Sequence, residues 1–380
     1  MKAIKCVLVV MGATLITFGF GGTLMAFHSG GVANCDGCHT MHNSKDGVVE
    51  SETVSGALLK GADVSSVCLN CHHWDGTGSL LFYHVSTPNG SKFSPGGDFY
   101  WLTKTYTWTE FGTQHVSEGD DHGHNIISAD FGYTQDIKLA TSPGGGYPSN
   151  QLGCSSCHDP HGKKPGKTGP ISVSGSYGDT PPAGTVAGNY RLLGDVGYDA
   201  GALTFNKPVP TARTFVNGSE SDSLHTDYGS GMSQWCGQCH GDLLGGIKHK
   251  VDVNLGGTLS GNYNEYVKTG DLTGVKATAY LALVPFERTS GTALNANSTA
   301  GPESNDQVMC LTCHRAHASA FQNVTRWDMS TEFPVTGSHP KAGDGGLGAN
   351  DVNNSYYGRN MVFQFGNLQR SFCNKCHQKD

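Results

Sequence analysis

The sequence predicts a mostly irregular (coil) chain with short helices and few short strands, built around an interior that its own side chains do not fill. Three observations support this fold class. Only 37% of the 380 residues are hydrophobic, 54 residues are glycine, and one cysteine-containing unit occurs six times at irregular spacing. A chain of this length needs an interior, and one so poor in aliphatic residues does not build it alone.

The first 26 residues have the layout of a secretory signal peptide. A short basic region with Lys2 and Lys5 precedes an apolar run, and small residues follow up to Ala26. This run is too short and wrongly flanked for a membrane anchor. We expect cleavage before Phe27, export through the periplasm, no later membrane span, and a single extended domain over residues 27–380. Cleavage changes the net charge from −7 to −9, which argues against a nucleic-acid partner.

All twelve cysteines of residues 27–380 fall into six units in which a C-x-x-C pair is followed directly by histidine. This C-x-x-C-H unit is typical of c-type haem attachment. The two thiols bind the porphyrin edge, and the adjacent histidine donates a ring nitrogen to the iron. We therefore predict a multihaem cytochrome c wrapped around a chain of six haems. The predicted sites are Cys35-Cys38-His39, Cys68-Cys71-His72, Cys154-Cys157-His158, Cys236-Cys239-His240, Cys310-Cys313-His314 and Cys373-Cys376-His377.

Structural zinc sites and disulfides are the alternative interpretations of paired cysteines. Zinc would use two such pairs for each tetrahedral site and would not require a histidine after every pair. A disulfide framework, common in exported proteins, would not impose a constant two-residue gap. Because all six units carry the histidine and no cysteine of residues 27–380 is left over, the pattern favours haem.

Three further histidines repeat one placement, three residues after a motif histidine: His42, His161 and His317. Residues at this spacing lie on the same side of a short segment. The second histidine therefore does not reach the far face of the haem that its own motif holds. We expect each of the three to bind a different iron and to connect neighbouring haems.

Three more distal ligands are needed to give every iron two histidines. His84, His124 and His249 complete the set, with His73 competing with His84 and His122 competing with His124. The remaining four histidines are interpreted as surface residues: His28, His115, His225 and His339.

The intervals between motifs contain few signals of regular structure. Motif separations are 33, 86, 82, 74 and 63 residues, so the chain is not a solenoid repeat. Loops rich in Gly, Ser, Asn and Pro lie between them. Short helices are expected around Val275–Val284 and in the run into Cys373. The aromatic stretch 98–108 has strand-like composition, but ordinary packing is the preferred interpretation, because aromatic rings pack well against porphyrin.

Two histidines for each iron leave no position open for a substrate, which favours electron transfer over catalysis. Three alternatives remain. A monomeric periplasmic electron carrier would take all distal ligands from one chain. A multihaem reductase would keep at least one five-coordinate iron. A structural surface protein would only store charge.

Several segments resemble the exported hexahaem cytochromes of the OmcS type. They include "FHSGGVANCDGCHTMHNS", "PGGDF", "KTYTW", "GHNI", "CSSCHDPHG", "CLTCHRAHAS" and "CNKCH". The resemblance runs from about Phe27 to the last residue. The segment "HHWDG" after the second motif and residues 285–309 depart from the family pattern.

The resemblance implies bis-histidine haems in one continuous chain and head-to-tail assembly into extracellular filaments. It also implies delivery of electrons to metal oxides, electrodes, partner cells and other cytochromes. The histidine matching His42 is donated to a haem of the adjoining subunit in that family. The matches to His84, His124, His161, His249 and His317 support these residues over their competitors.

Overall fold

The computed structural model describes residues 35–40, 44–45, 48–49, 58–81, 83–161, 190–215, 218–246, 250–289 and 292–378. The predicted signal peptide, residues 1–26, lies outside the described residues, as do His28, His42 and His249.

Helices are short throughout the described part of the chain. The α-helices are α1 Cys35–Cys38, α2 Val64–His72, α3 Met232–Cys236, α4 Gly241–Gly246, α5 Gly256–Glu265, α6 Cys310–Cys313, α7 Asp351–Ser355, α8 Met361–Phe365 and α9 Asn374–His377. The 3-10 turns are Phe99–Thr103, Gly119–His122, Ala129–Phe131, Ser149–Gln151, Cys154–Ser156, Tyr190–Leu192, Lys276–Thr278 and Gln322–Val324. No helix in the described ranges is long and apolar enough to cross a membrane.

The described strands form three two-stranded antiparallel sheets. Their strands are β1 Ser44–Lys45 with β2 Val48–Val49, β3 Tyr106–Glu110 with β4 Thr113–Ser117, and β5 Ala212–Arg213 with β6 Asp227–Tyr228. In the longest pair, Tyr106 lies opposite Ser117 and Glu110 opposite Thr113. The predicted fold class, mostly coil with short helices and few short strands, is confirmed.

The described hydrophobic core is divided into clusters, and each cluster packs against attachment cysteines. The largest contains Trp101, the segment 279–284 and Trp327, and it contacts Cys313 and Cys376. Three smaller clusters each contact one attachment cysteine: Cys154, Cys236 or Cys239. The apolar side chains therefore line the attachment points instead of forming one continuous core.

The helix expected around Val275–Val284 was wrong. Only the 3-10 turn Lys276–Thr278 forms there, and residues 279–284 continue as a buried irregular segment. Side chains take the hydrogen bonds that a helix would make internally. Leu281 N–H donates to Tyr263 Oη at 3.1 Å, and Tyr263 Oη donates to Val284 O at 2.9 Å. The short helix expected in the run into Cys373 is present as α8.

The aromatic stretch 98–108 is divided between two kinds of structure. Asp98 accepts a hydrogen bond from Tyr100 N–H at 2.9 Å and caps the turn Phe99–Thr103. β3 begins only at Tyr106. Trp101 is buried in the largest core cluster. The strand-like composition therefore correctly indicates a strand in the second half of the stretch. It is wrong for the first half, which forms a 3-10 turn.

Candidate functional site

Five of the six C-x-x-C-H units open onto one cavity of about 1640 Å³. Its lining includes a cysteine and the histidine of each unit from the second to the sixth, and also His124 and His317. A typical pocket for one drug-sized ligand measures about 300–1,000 Å³. The cavity is therefore a channel for more than one bound group. Apolar side chains such as Leu69, Phe99 and Ile126 line it and suit a porphyrin face.

Units that follow one another in the sequence are also neighbours in space. One cysteine of each unit lies within electrostatic range of one cysteine of the next: Cys38 and Cys68, Cys68 and Cys154, Cys157 and Cys239, Cys236 and Cys310, and Cys313 and Cys376. In the second and fourth of these pairs, each cysteine is the largest influence on the pKa of the other. The attachment points therefore succeed one another in chain order.

Four motif histidines are oriented in the same way. Each donates its ring Nδ1–H to a backbone carbonyl, which leaves Nε2 as the acceptor nitrogen for iron. The bonds join His72 to Tyr83 O at 2.7 Å, and at 2.8 Å they join His158 to Arg191 O, His240 to Pro143 O and His314 to Asn323 O. This tautomer is the one that haem ligation needs.

Three pairs of imidazole rings have the separation expected across an iron atom. Metal–nitrogen bonds of about 2 Å, with each ring centre roughly 1 Å behind its nitrogen, place two trans rings about 6 Å apart. The ring centres are 6.5 Å apart for His39 and His161, 6.3 Å for His158 and His317, and 6.1 Å for His124 and His240. His161 thus faces the histidine of the first unit, not that of its own unit.

His124 and His317 are held as neutral rings. The Nδ1–H of His124 donates to Ala316 O at 2.7 Å. The ring of His317 stacks on Phe99 with ring centres 4.8 Å apart. Burial lowers the pKa of His124 to about 4 and that of His317 to about 3. Both therefore keep a lone pair for a metal at neutral pH.

His122, the competitor of His124, has no nitrogen left for iron. Its Nε2 bonds to Ser117 Oγ at 2.8 Å and its Nδ1 to Trp101 O at 3.0 Å. The ring is fully buried. His122 is therefore a structural link between β4 and the turn at Phe99–Thr103.

His73 and His84, the other two histidines that compete for one distal-ligand position, are arranged differently. His73 Nδ1 bonds to Ser86 Oγ at 2.9 Å. His84 accepts a hydrogen bond at Nδ1 from Leu81 N–H at 2.9 Å, which places the ring proton of its neutral form on Nε2. His84 is buried but does not have the ring orientation that the motif histidines share.

The interpretation of two histidines as surface residues was wrong. His225 is fully buried and stacks on Tyr280, with ring centres 3.6 Å apart. His339 is 7% exposed, stacks on Trp108 and bonds to Asp344 Oδ2 at 2.7 Å. Burial of a histidine depends on distant aromatic partners, and neither local sequence indicates them. His115 is exposed, as expected.

The described cysteines do not fit the zinc or disulfide alternatives. None of the cysteines whose side chains are described is joined to another by a disulfide. Within the described ranges, cysteines and histidines form no cluster that could hold a metal ion by themselves; the group with suitable spacing is the carboxylates of Glu118, Asp120 and Asp121. Paired thiols, a neutral histidine and an apolar channel fit c-type haem.

Comparison with known proteins leads to the same class of cofactor. No protein-family model matches the chain. The chain is 41% identical to C-type cytochrome OmcS of Geobacter sulfurreducens over 436 aligned positions, covering all of both sequences.

The chain belongs to the OmcS family of c-type cytochromes. Two solved structures support this, "Cryo-EM of the OmcS nanowires from Geobacter sulfurreducens" and "Outer Membrane Cytochrome S Filament from Geobacter Sulfurreducens". They match with TM-scores of 0.80 and 0.81 and identities of 39% and 40%, each covering 93% of this chain and all of the solved chain.

The chain is therefore an electron-transfer protein, not an enzyme, and its cofactor is c-type haem. The sequence did not predict the carbonyl groups that orient the motif histidines, because a backbone carbonyl has no sequence signature. Gly96 was also missed, although the quoted "PGGDF" contains it. A Cβ atom there would lie 2.7 Å from His317 Nδ1, so only glycine leaves room for the ring.

Proposed function

We propose that this chain is a subunit of an extracellular filament that carries electrons along six bis-histidine haems. The arrangement that supports this most directly is the single channel onto which attachment units open in chain order, with imidazole pairs at iron spacing. The relatives named as nanowires and as a filament support the polymeric state.

The axial pairs proposed from geometry are His39 with His161, His158 with His317, and His240 with His124. The other three motif histidines, His72, His314 and His377, are left to His42, His84 and His249; ligation through Nε2 of His84 would require its ring proton to move to Nδ1 and the hydrogen bond from Leu81 N–H to break. We assign His42 to an iron of the adjoining subunit. This assignment follows the family resemblance, and ligation across the subunit boundary would continue the haem chain from one copy to the next.

Bound haem supplies an iron that changes between two oxidation states. Two neutral imidazoles would hold each iron, and the apolar walls of the channel would exclude water and fix the distance to the next site. With two histidines on every iron, electrons would pass without bond formation to a substrate. The partners are further copies of this chain, other cytochromes and external acceptors such as metal oxides and electrodes.

Electron microscopy of the haem-loaded protein secreted by its native host tests the polymer. Filaments with a regular axial repeat are expected, and His42→Ala should convert them to discrete particles that still contain six haems. Discrete particles of the unaltered protein over a range of salt would favour the monomeric carrier. Carbon monoxide binding to the reduced unaltered protein would indicate an open iron and favour the reductase.

Export is the remaining part of the proposal. Residues 1–26 are the signal peptide, cleavage precedes Phe27, and residues 27–380 cross the periplasm before reaching the cell surface. The intact mass of the secreted protein tests the cleavage site. A mass that includes residues 1–26 would contradict it.

A further inference from the structure

A buried carboxyl group lies between the fourth and fifth attachment units and has no part in haem binding. Glu287 is 1% exposed. Its Oε1 accepts a hydrogen bond at 2.6 Å from Met232 N–H, in the first turn of the helix that ends at Cys236. Its backbone pairs with Gln307, three residues before Cys310. Glu287 therefore contacts the segments that carry both attachment points.

The second oxygen of this carboxyl group has no partner among the residues that the structure describes. Glu287 Oε2 is buried without a hydrogen bond. Within the described part of the chain, Glu287 forms no ion pair. The adjacent Arg288 is directed elsewhere, to Asp227 Oδ1 at 2.8 Å and Asp306 Oδ2 at 3.6 Å. An unpaired buried carboxylate is costly, and protonation of the free oxygen removes the charge.

The charged groups facing Glu287 favour its neutral form. Burial raises the pKa of Glu287 to about 7, the backbone N–H groups of Met232 and Gly231 oppose this, and the charge of Asp252 adds to it. The charge of the Cys310 thiolate raises the pKa as well, and this effect ends when the sulfur becomes an uncharged thioether. Asp252 is half-buried, and one of its oxygens also lacks a partner.

We propose that Glu287 is a redox-linked proton site: it binds a proton from solvent when a haem at Cys236 or Cys310 gains an electron. Cys310 N–H donates to Ser233 Oγ at 3.1 Å, in the helix that ends at Cys236, so one carboxyl group is near both attachment points. The donor that feeds the conduit supplies the electron, and Oε2 takes the proton. When the electron moves on, the proton returns to solvent. Asp252, nearer the surface, relays it.

The proposal rests on the haems and on the electron-carrying function proposed above. The reduced protein should bind the proton about tenfold more tightly than the oxidised protein, as expected for one unit charge about 10 Å away in a medium of effective dielectric constant near 20. Tighter proton binding by the reduced form means that the midpoint potential of one or two haems falls as pH rises around 7.

The test is spectroelectrochemical titration of the haem-loaded protein over about pH 5 to 9, comparing the unaltered chain with Glu287→Gln. Glutamine keeps the acceptor for Met232 N–H and cannot titrate. The variant should lose the pH dependence near 7, whereas the exposed control Glu303→Gln should keep it. Equal pH dependence in the unaltered chain and Glu287→Gln would overturn the proton site alone. Haems that are not reversibly reduced at any pH would contradict the proposed function itself.

Infrared difference spectra of the unaltered protein give a second readout that needs no glutamine variant. Reduction near pH 8 should produce a protonated-carboxyl band that shifts in deuterium oxide. Asp252→Asn removes a nearby negative charge and should move the appearance of this band to lower pH. A spectrum without the band, or a band insensitive to Asp252→Asn, would rule out Glu287 as the proton acceptor.

Discussion

The imidazole rings of His158 and His317 lie with their centres 6.3 Å apart, although the two residues are 159 positions apart in the sequence. His317 follows the fifth motif histidine by three residues, and His158 belongs to the third motif. In the proposed pairing, one short segment would connect the fifth attachment site to the iron of the third. The same relation joins His161, in the third unit, to His39 in the first.

Removing a distal histidine should open the iron of another unit. His317→Ala is expected to leave the haem at Cys310 and Cys313 six-coordinate and to make the haem at Cys154 and Cys157 five-coordinate. Electron paramagnetic resonance of the oxidised protein and carbon monoxide binding to the reduced protein measure this. His161→Ala is the companion variant and should open the first haem. A five-coordinate iron at the unit that carries the substitution would contradict the pairing.

Gly96 should be required for the position of His317. Gly96→Ala places a methyl group 2.7 Å from His317 Nδ1, so the ring has to move away from its place in the channel. We expect partial conversion of one haem to the high-spin form. Gly257→Ala is the matched control, because a Cβ atom at that exposed helix position meets nothing within 4 Å. Low-spin haem in Gly96→Ala equal to that of the control would count against the steric role.

His122 should be necessary for stability and not for ligation. His122→Ala removes bonds to Ser117 and Trp101 and leaves a cavity. The free energy of unfolding should fall by about 2–4 kcal/mol, while all six haems stay low-spin. Guanidinium unfolding followed by Soret absorbance provides the first value. His124→Ala, in contrast, should produce a high-spin signal. A high-spin signal in His122→Ala would mean that His122, not His124, is the iron ligand.

His225 should make the fold sensitive to acid. Burial lowers its pKa from 6.5 to about 4, so the folded state favours the neutral ring. The associated stability is complete above about pH 6.5 and is lost as pH falls through 6.5 towards 4, by about 3 kcal/mol. His225→Phe removes two buried nitrogens that have no partner and should flatten this part of the stability curve. The exposed His115→Phe should not, and equal curves for the two variants would exclude His225 as the source.

The ion pair of Arg315 should be a major tertiary link. Arg315 Nη1 bonds to Glu220 Oε2 at 2.8 Å, and its guanidinium lies 3.5 Å from the ring centre of Tyr357. Because both charged side chains are almost completely buried, Arg315→Met should cost about 3–5 kcal/mol of unfolding free energy. The double variant with Glu220→Gln should recover part of this loss. Additive losses in the denaturation midpoints would show that the pair is not coupled.

The sequence by itself determined the cofactor class and most of the chemistry. C-x-x-C-H is a local motif, in which five consecutive residues set the spacing of two thiols and a histidine. Covalent haem attachment can therefore be predicted from the sequence. The placement three residues on, seen in His161 and His317, likewise excluded ligation within the same unit. The low content of aliphatic residues predicted an irregular chain whose clusters pack on the attachment points.

Only the tertiary structure decided which imidazole faces which and which buried groups are left without partners. Ring pairs such as His124 and His240 join segments far apart in the chain, and no local rule sets that distance. The choice between His122 and His124 depends on Trp101 O and Ala316 O, two backbone atoms that any residue supplies. The burial of His225 and Glu287 likewise depends on remote segments. Neighbouring residues determine which groups can bind haem. The pairing of histidines and the protonation of buried side chains depend instead on contacts between distant parts of the chain.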